Sequence, residues 1–427
     1  MFNINLKRIR YASGKTQKEL ADYLQISAQS ISKWENGEAT PSLEYLPKIA
    51  KFFGCSVKSF FTTYDPDMCK KISDSSDTRL IKMVTKTEEK INKALRHFGV
   101  DAEVVNVFNG YRIVTYDVLM HSGVGISDIL KHKDNILHYI RNDKAIINTS
   151  ELEENHFAFE IAKDEFTPVD LAPVLKSDAY KVYQGELPIV LGYDSKNNVI
   201  IDDIVKMPHM LIGGKSGTGK SIFLQNVIAC LTSRCSPEDV KLVILDPKRV
   251  DFDFANVIPH MMCPVVKNTS EAVEKLQNMV DEISLRKKLL EAAEARNIKE
   301  YNKKTTSKMP RIVVLIDELF DIMIRSEKAE ELIVKIAQHG RSVGIHMIVG
   351  SQVVNEYVFT PVIKANVPTR AILNDTSASS ELLINSSGAE RLALGGDMLY
   401  MSVVNEKIMR IQTPIICAEE IINNCHY

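Results

Sequence analysis

Four short stretches of this chain, at 210–212, 241–245, 311–316 and 345–350, are almost wholly apolar, and each runs into a glycine, an aspartate or a serine. Runs of this length without polar alternation predict strands buried on both faces of a parallel sheet. The segments 222–228 and 283–300 suit helices, so the C-terminal part reads as alternating strands and helices. The first part follows another period. Leu20, Ala21, Leu24, Ile26, Ile31 and Trp34 recur at helical spacing, Thr16-Gln17-Lys18-Glu19 is a capping box, and Ser27 is placed to cap a second helix closed by Asn36-Gly37. Flanking helices over 4–13 and 42–53 complete an all-α head. Polar, turn-rich residues at 62–67 and 73–77 predict a flexible linker. Beyond it, a helix over 87–98 precedes strands at 103–108 and 111–119, which flank Asn109-Gly110, the strongest short hairpin signal in the chain. The pattern divides the chain into a helical domain at 1–65, a linker at 66–82, a small α/β subdomain at 83–175 and a larger α/β domain at 176–427.

Composition narrows the class without choosing the chemistry. With 427 residues, 45% of them hydrophobic, there is material for several cores. A formal net charge of −2 means that any nucleic-acid surface must be local. The head supplies one candidate, since up to position 62 nine basic side chains stand against five acidic ones. No apolar run approaches a membrane span and the first residues do not resemble a signal peptide, so a cytoplasmic protein is expected. Seven cysteines, an odd number without zinc-type pairs, suit reduced thiols, and no transition metal is expected.

The chemistry begins at Gly214-Lys215-Ser216-Gly217-Thr218-Gly219-Lys220-Ser221, a Walker A loop between an apolar run and a helix. Its glycines free the backbone to turn successive N–H groups toward a β-phosphate. Lys220 would reach the β- and γ-phosphates of ATP, and the Ser221 hydroxyl would ligate Mg²⁺. The run at 311–316 ends in Asp317-Glu318, where Asp317 would hold the metal's water shell and Glu318 would polarise the attacking water. An adjacent acid pair favours hydrolysis over transfer to a small acceptor.

Further motifs carry a family resemblance. Leu187-Pro188-Ile189-Val190-Leu191-Gly192, Met207-Pro208-His209-Met210, Asp246-Pro247-Lys248-Arg249-Val250, Gly344-Ile345-His346-Met347, Asn366-Val367-Pro368-Thr369-Arg370 and Gly395-Gly396-Asp397-Met398-Leu399-Tyr400 together resemble the FtsK/SpoIIIE family of DNA translocases, over roughly 83–420. The resemblance implies a RecA-like P-loop motor, with a small α/β subdomain before it, that assembles as a ring, usually a hexamer, on double-stranded DNA. It further implies a site-shaping role for Asp246 and a polar sensor at Gln352, although Ser351-Gln352-Val353-Val354 departs from the family's usual Thr-Gln-Arg-Pro. A ring motor needs an arginine from the neighbouring subunit. Arg341 is the first choice and Arg370 the second, each with a plain alternative as a surface partner. The family's Ser-Arg pair is replaced here by Ser380-Glu381. Lys303, Lys304 and Lys308 are candidates for phosphate contacts in the pore or for a solvated loop, while Arg286, Lys287 and Lys288 suit surface pairing.

The head resembles the phage-repressor (Cro/XRE) helix-turn-helix over about 4–61, on Ser30-Ile31-Ser32-Lys33-Trp34-Glu35-Asn36-Gly37. The resemblance makes 28–36 the recognition helix. Gln29 could pair bidentately with adenine, Gln17 begins the preceding helix near the DNA backbone, and Ala28, Ser30, Ser32 and Lys33 are the remaining candidates. A helical module docking on protein stays open as the alternative. With no apolar run of spanning length, the family's N-terminal membrane part is not expected, and because the chain ends at Tyr427, soon after the last motor-like strands, its terminal winged-helix reader is not expected either. The reading is an ATP-driven double-stranded DNA translocase with a sequence-reading head, serving a plasmid, phage or integrative element, with room for a relaxase or membrane-channel partner. An ATP-switched DNA-bound regulator that does not translocate is the alternative.

Overall fold

The computed structural model describes Leu6, Arg10, Ala39 and residues 15–36, 41–42, 45–53, 75–142, 144–149, 155–163, 168–248, 251–403 and 407–425. Most of the helix expected over 4–13, the linker up to residue 74, and Arg249-Val250 of the Asp-Pro-Lys-Arg motif lie outside the described residues. The chain forms two compact units, residues 1–105 with 119–141, and residues 106–118 with 142–427.

In the first unit, helix Gln17–Leu24 starts at the expected capping box, where Thr16 Oγ1 accepts from Glu19 N at 3.1 Å and Glu19 Oε2 accepts from Thr16 N at 2.8 Å. Gln25, with φ of 58°, ends it, and helix Ala28–Asn36 follows. Leu20, Leu24, Ile31 and Trp34 meet Ile49 and Ala50 of helix Tyr45–Phe53 in one small core. The next described helix runs Ser75–His97 and begins inside the stretch expected to be linker. Ser75-Ser76-Asp77 explains the difference, because serine and aspartate favour helix starts as well as loops.

The strands are β1 (Ala102–Asn109), β2 (Ile113–Met120), β3 (Ala145–Asn148), β4 (His156–Ala162), β5 (Pro188–Tyr193), β6 (Val199–Asp203), β7 (His209–Gly213), β8 (Val240–Leu245), β9 (Arg311–Ile316), β10 (Ile345–Ser351), β11 (Thr369–Leu373), β12 (Asp397–Met401) and β13 (Ile408–Gln412). A four-stranded sheet has the order β1-β2-β4-β3. The β1–β2 turn is not the two-residue turn that Asn109-Gly110 suggested. β1 runs through Asn109, neither residue has positive φ, and Gly110 N donates to Ile113 O at 2.8 Å. Asn197 supplies the reason: its Oδ1 accepts from Tyr111 N at 2.6 Å, so the turn is finished from the β5–β6 loop.

The large sheet has the order β6-β5-β13-β12-β11-β7-β10-β9-β8. β11, β7, β10, β9 and β8 are mutually parallel, and the remaining four join antiparallel on one side. Alternate residues of β9 enter different cores. Val313 and Leu315 pack with Phe223, Leu224 and Val227 of helix Lys220–Arg234, while Ile312, Val314 and Ile316 pack with Leu276 and Ile283 of helix Thr269–Ala292 and Ile333 and Ile336 of helix Lys328–Val343. Both faces are covered, which is why the strands read as unbroken apolar runs. Each such side chain contributes about 1.5–3 kcal/mol by burial.

At the N-terminal ends of β7 and β10, His209 and His346 are fully buried with ring centroids 6.2 Å apart. Met347 N donates to His209 Nδ1 at 3.1 Å, and His346 Nδ1 lies 3.0 Å from Pro208 O. Burial pushes His209 down to about 4 and His346 well below the ordinary histidine range. Above pH 6.5 both are neutral whether folded or unfolded. Below it the unfolded chain takes protons that the folded one refuses, so stability should fall from pH 6.5 toward 4, by roughly 3 kcal/mol for His209 alone. Urea midpoints across this range should decline less steeply in His209→Gln than in the parent chain. Parallel slopes would show that the pair does not govern acid sensitivity.

Candidate functional site

Strand register brings the candidate residues together. Ser351 lies opposite Gly213, and Val349 is level with Ile316, so the Walker A loop, Ser351 and the acids following β9 sit at one end of three adjacent strands. β10 lies between the loop-bearing strand and the acid-bearing strand, placing its last residues beside both.

Residues 214–221 leave β7 and open helix Lys220–Arg234. Gly219 has φ of 114°, and a Cβ there would stand 2.9 Å from Gly396 N, so side chain and backbone are excluded together. Gly396 N donates to Thr218 O at 2.8 Å, Thr218 Oγ1 to Lys215 O at 2.7 Å, and Gly214 N to Ser351 O at 3.3 Å. The Gly395-Gly396 motif thus backs the loop. Lys220 is buried, and its Nζ donates to Asp317 Oδ1 and Asp317 O, both at 2.5 Å. Ser221 Oγ donates to the same Asp317 Oδ1 at 3.2 Å. A hydroxyl and a carboxylate converging in this way are hard oxygen donors of the kind Mg²⁺ takes along with waters and phosphate oxygens, so the residues fit the ion. Among the described residues, no group of three or more His, Cys, Asp or Glu is placed to hold a metal.

Glu318 is buried and accepts from three donors. Ser351 Oγ donates to its Oε1 at 2.5 Å, Gln352 N stands 3.0 and 3.1 Å from its two oxygens, and Lys248 Nζ pairs with Oε2 at 2.7 Å. The Gln352 peptide N–H, rather than its side-chain amide, makes these contacts. Asp321, in helix Leu319–Arg325, has its carboxyl raised first by partial burial and then by the charge of Glu318. Asp246 Oδ2 accepts from Asp251 N at 3.3 Å, bracing the loop that carries Lys248. The sequence reading missed Lys248 and Ser351. Lys248 stood in the Asp-Pro-Lys-Arg motif, where only the aspartate had been given a role.

The arginines separate. Arg370 donates to the carbonyls of Val367, Leu383 and Lys364 at 3.3, 3.1 and 2.7 Å, and so is committed to its own fold rather than offered to a neighbour. Arg341 is exposed in the last turn of helix Lys328–Val343, at the end of the sheet opposite the Walker A loop. β10 alone separates the two by about 20 Å, beyond reach within one subunit. Arg286 is buried instead of surface-paired, donating to Glu282 at 2.7 Å and to Pro310 O and Val343 O at 2.8 and 2.9 Å, because it closes carbonyls at the rim of the sheet. Lys303, Lys304 and Lys308 are all exposed, and Lys304 is drawn onto Glu294 O at 2.6 Å.

On the head, Ala28, Gln29 and Lys33 are exposed along helix Ala28–Asn36, and Ser32 is half-buried. Ser30 is tied to Ser27 through Oγ atoms 2.9 Å apart. Gln17 Nε2 donates to Glu35 Oε2 at 2.8 Å, and Arg10 holds the same carboxylate through two bonds of 2.6 and 2.9 Å. The Gln17 amide is therefore occupied inside the head. Among the described residues, no helix is long and apolar enough to cross a membrane.

Residues 170–355 match the profile of the FtsK/SpoIIIE family, residues 66–161 that of the FtsK alpha domain and residues 6–60 a helix-turn-helix profile. The protein named DNA translocase FtsK of Clostridium acetobutylicum is 35% identical over 347 residues, covering 80% of this chain and 45% of that protein. The chain thus spans about half the length of the curated relatives it matches. Among solved structures, the pCW3 conjugation coupling protein TcpA, determined with ATPγS, aligns with a TM-score of 0.54 at 22% identity, over 79% of this chain and 99% of that one. The cytoplasmic domain of the Thermomonospora curvata type VII secretion ATPase EccC aligns with a TM-score of 0.53 at 21% identity, over 58% of this chain and 32% of that one. These two likenesses show a shared P-loop fold.

Proposed function

The motor and alpha domain of this chain belong to the FtsK/SpoIIIE family, and from that premise we propose that it is an ATP-driven double-stranded DNA translocase, working as a ring, with a sequence-reading head. The observation that carries the reading is the convergence of Lys220, Ser221, Asp317 and Glu318 at one end of β7, β10 and β9. Lys220 turns from Asp317 to the phosphates of ATP. Ser221, and Asp317 through the metal's water shell, would hold Mg²⁺, which would neutralise charge on the phosphate oxygens. Glu318 orients the attacking water, aimed by Ser351 and the Gln352 N–H. Arg341 of one subunit faces the nucleotide of the next. A hexamer is the natural closed form, and a relaxase or membrane channel would be a partner at the point of DNA delivery.

The head supplies the address. Gln29 and Lys33, exposed on helix Ala28–Asn36, are placed for base and phosphate contact, and Gln29→Ala should cost about 1–3 kcal/mol at the cognate site. Deleting residues 1–65 should abolish site preference and leave turnover stimulated by duplex DNA. The deciding experiment measures ATP turnover against duplex length together with displacement of a third strand downstream. Stimulation and displacement support the motor. Slow turnover insensitive to DNA length would instead favour the ATP-switched regulator, and a head that selects no sequence from random DNA would be a protein-docking module.

A further inference from the structure

We propose that Lys248 is a positioning residue that parks Glu318 and thereby restrains ATP hydrolysis in the resting motor. The inference rests on the ATPase reading above. Glu318 receives a hydroxyl, a peptide N–H and an ammonium on its two oxygens while its side chain is 2% exposed. Three donors on about four lone-pair sites leave that carboxylate little capacity to accept from a water, which is what a water-orienting base requires. The three donors are not equivalent. Ser351 ends β10, where it is paired with Gly213 of β7 two residues beyond the last β9 partner at Val349, and Gln352 follows it directly. Lys248 lies in the loop beyond β8, and its side chain is 32% exposed. It is the one donor of the set that is itself charged, and it alone can leave without rebuilding the sheet.

Departure of Lys248 would strip the ammonium from Oε2, leaving there only the longer contact of the Gln352 N–H, while Ser351 and Gln352 keep hold of Oε1. The same two bonds that help to lock the carboxylate then aim it. Lysine and sheet end therefore have opposite effects on rate, which separates this arrangement from a plain structural ion pair. Among the described residues the nearby charges belong to Asp317, Lys220, Asp321 and Arg325, and Lys220 is already paired with Asp317. Lys248 is the cation in ion-pair contact with Glu318.

The test compares the full chain with Lys248→Met, Lys248→Arg and Ser351→Ala, measuring kcat and KM for ATP without and with duplex DNA, and the affinity for a fluorescent ATP analogue. Lys248→Met should raise DNA-free kcat about tenfold or more, the scale of one charged hydrogen bond. KM and analogue affinity should stay within about twofold, and the ratio of DNA-stimulated to DNA-free turnover should fall. Lys248→Arg should keep DNA-free turnover low. Ser351→Ala should lower kcat with and without DNA. If Lys248→Met does not fold, Lys248→Gln takes its place. DNA-free kcat equal to or below that of the parent chain overturns the proposal, as does a rise accompanied by weakened analogue binding, which would make Lys248 a nucleotide ligand. Failure of the ATPase reading looks different: the parent chain would then show no turnover that Lys220→Ala abolishes.

Discussion

Glu318→Gln should bind ATP and keep it almost unhydrolysed, with turnover lowered by about 10²–10⁴-fold, the usual loss when a positioned base is removed. Glutamine preserves the volume of a side chain that is almost wholly enclosed, so the site should keep its form. It also retains an oxygen for Ser351 and the Gln352 N–H. What it lacks is the charge that draws a proton from water. Lys220→Ala should fail earlier, at nucleotide binding, because Lys220 is the cation inside the loop and its loss also leaves Asp317 buried without its partner. Equilibrium binding of a fluorescent ATP analogue and steady-state phosphate release, measured on both variants, distinguish the two defects. Ordinary turnover in Glu318→Gln would remove it from the water-orienting role.

Arg341→Ala should lower turnover by a factor within the roughly 10³–10⁵ range of fingers supplied by a neighbour, without disturbing the fold. Arg341 is exposed, and the Walker A loop of its own chain lies at the other end of β10. A residue so placed would serve catalysis only across the boundary between subunits of the proposed ring. Mixed rings test this directly. Arg341→Ala subunits retain an intact Glu318, and Glu318→Gln subunits retain an intact arginine, so an interface joining the two competent halves should hydrolyse ATP although neither parent ring does. Turnover should therefore pass through a maximum as the mixing ratio is varied. Absence of rescue in rings shown to be mixed would place the finger elsewhere.

Where the sequence was legible, the cause was a strong physical demand. Strands covered on both faces had to be apolar throughout, so β7, β8, β9 and β10 were visible within a residue or two. The Walker A loop and Asp317-Glu318 were legible because each requires fixed residue types at fixed spacing. The capping box at Thr16 and Glu19 formed as written, since both of its bonds are local. What escaped notice depended on partners far away in the chain. Asn197 reshaped the turn after Asn109, and nothing near Gly110 announces it. Lys248 and Glu318 are 70 positions apart, and no local pattern distinguishes a lysine that clasps a buried carboxylate from one that only meets water. Arg370 looked available because arginine usually seeks anions, yet three backbone carbonyls absorbed it. Gln17 was drawn inward in the same manner by Glu35.

Strand β10 joins two of these places. At one end, just beyond Gly344, is the arginine proposed to serve the neighbouring subunit; at the other, Ser351 grips the glutamate of its own. An extended strand hydrogen-bonded on both sides has no slack, so its two ends keep their separation of some 20 Å. In a ring of the proposed kind β10 would be a gauge bar, setting the distance between the site a subunit holds and the one it serves, and softening that bar should leave each site chemically competent but misaligned with the next.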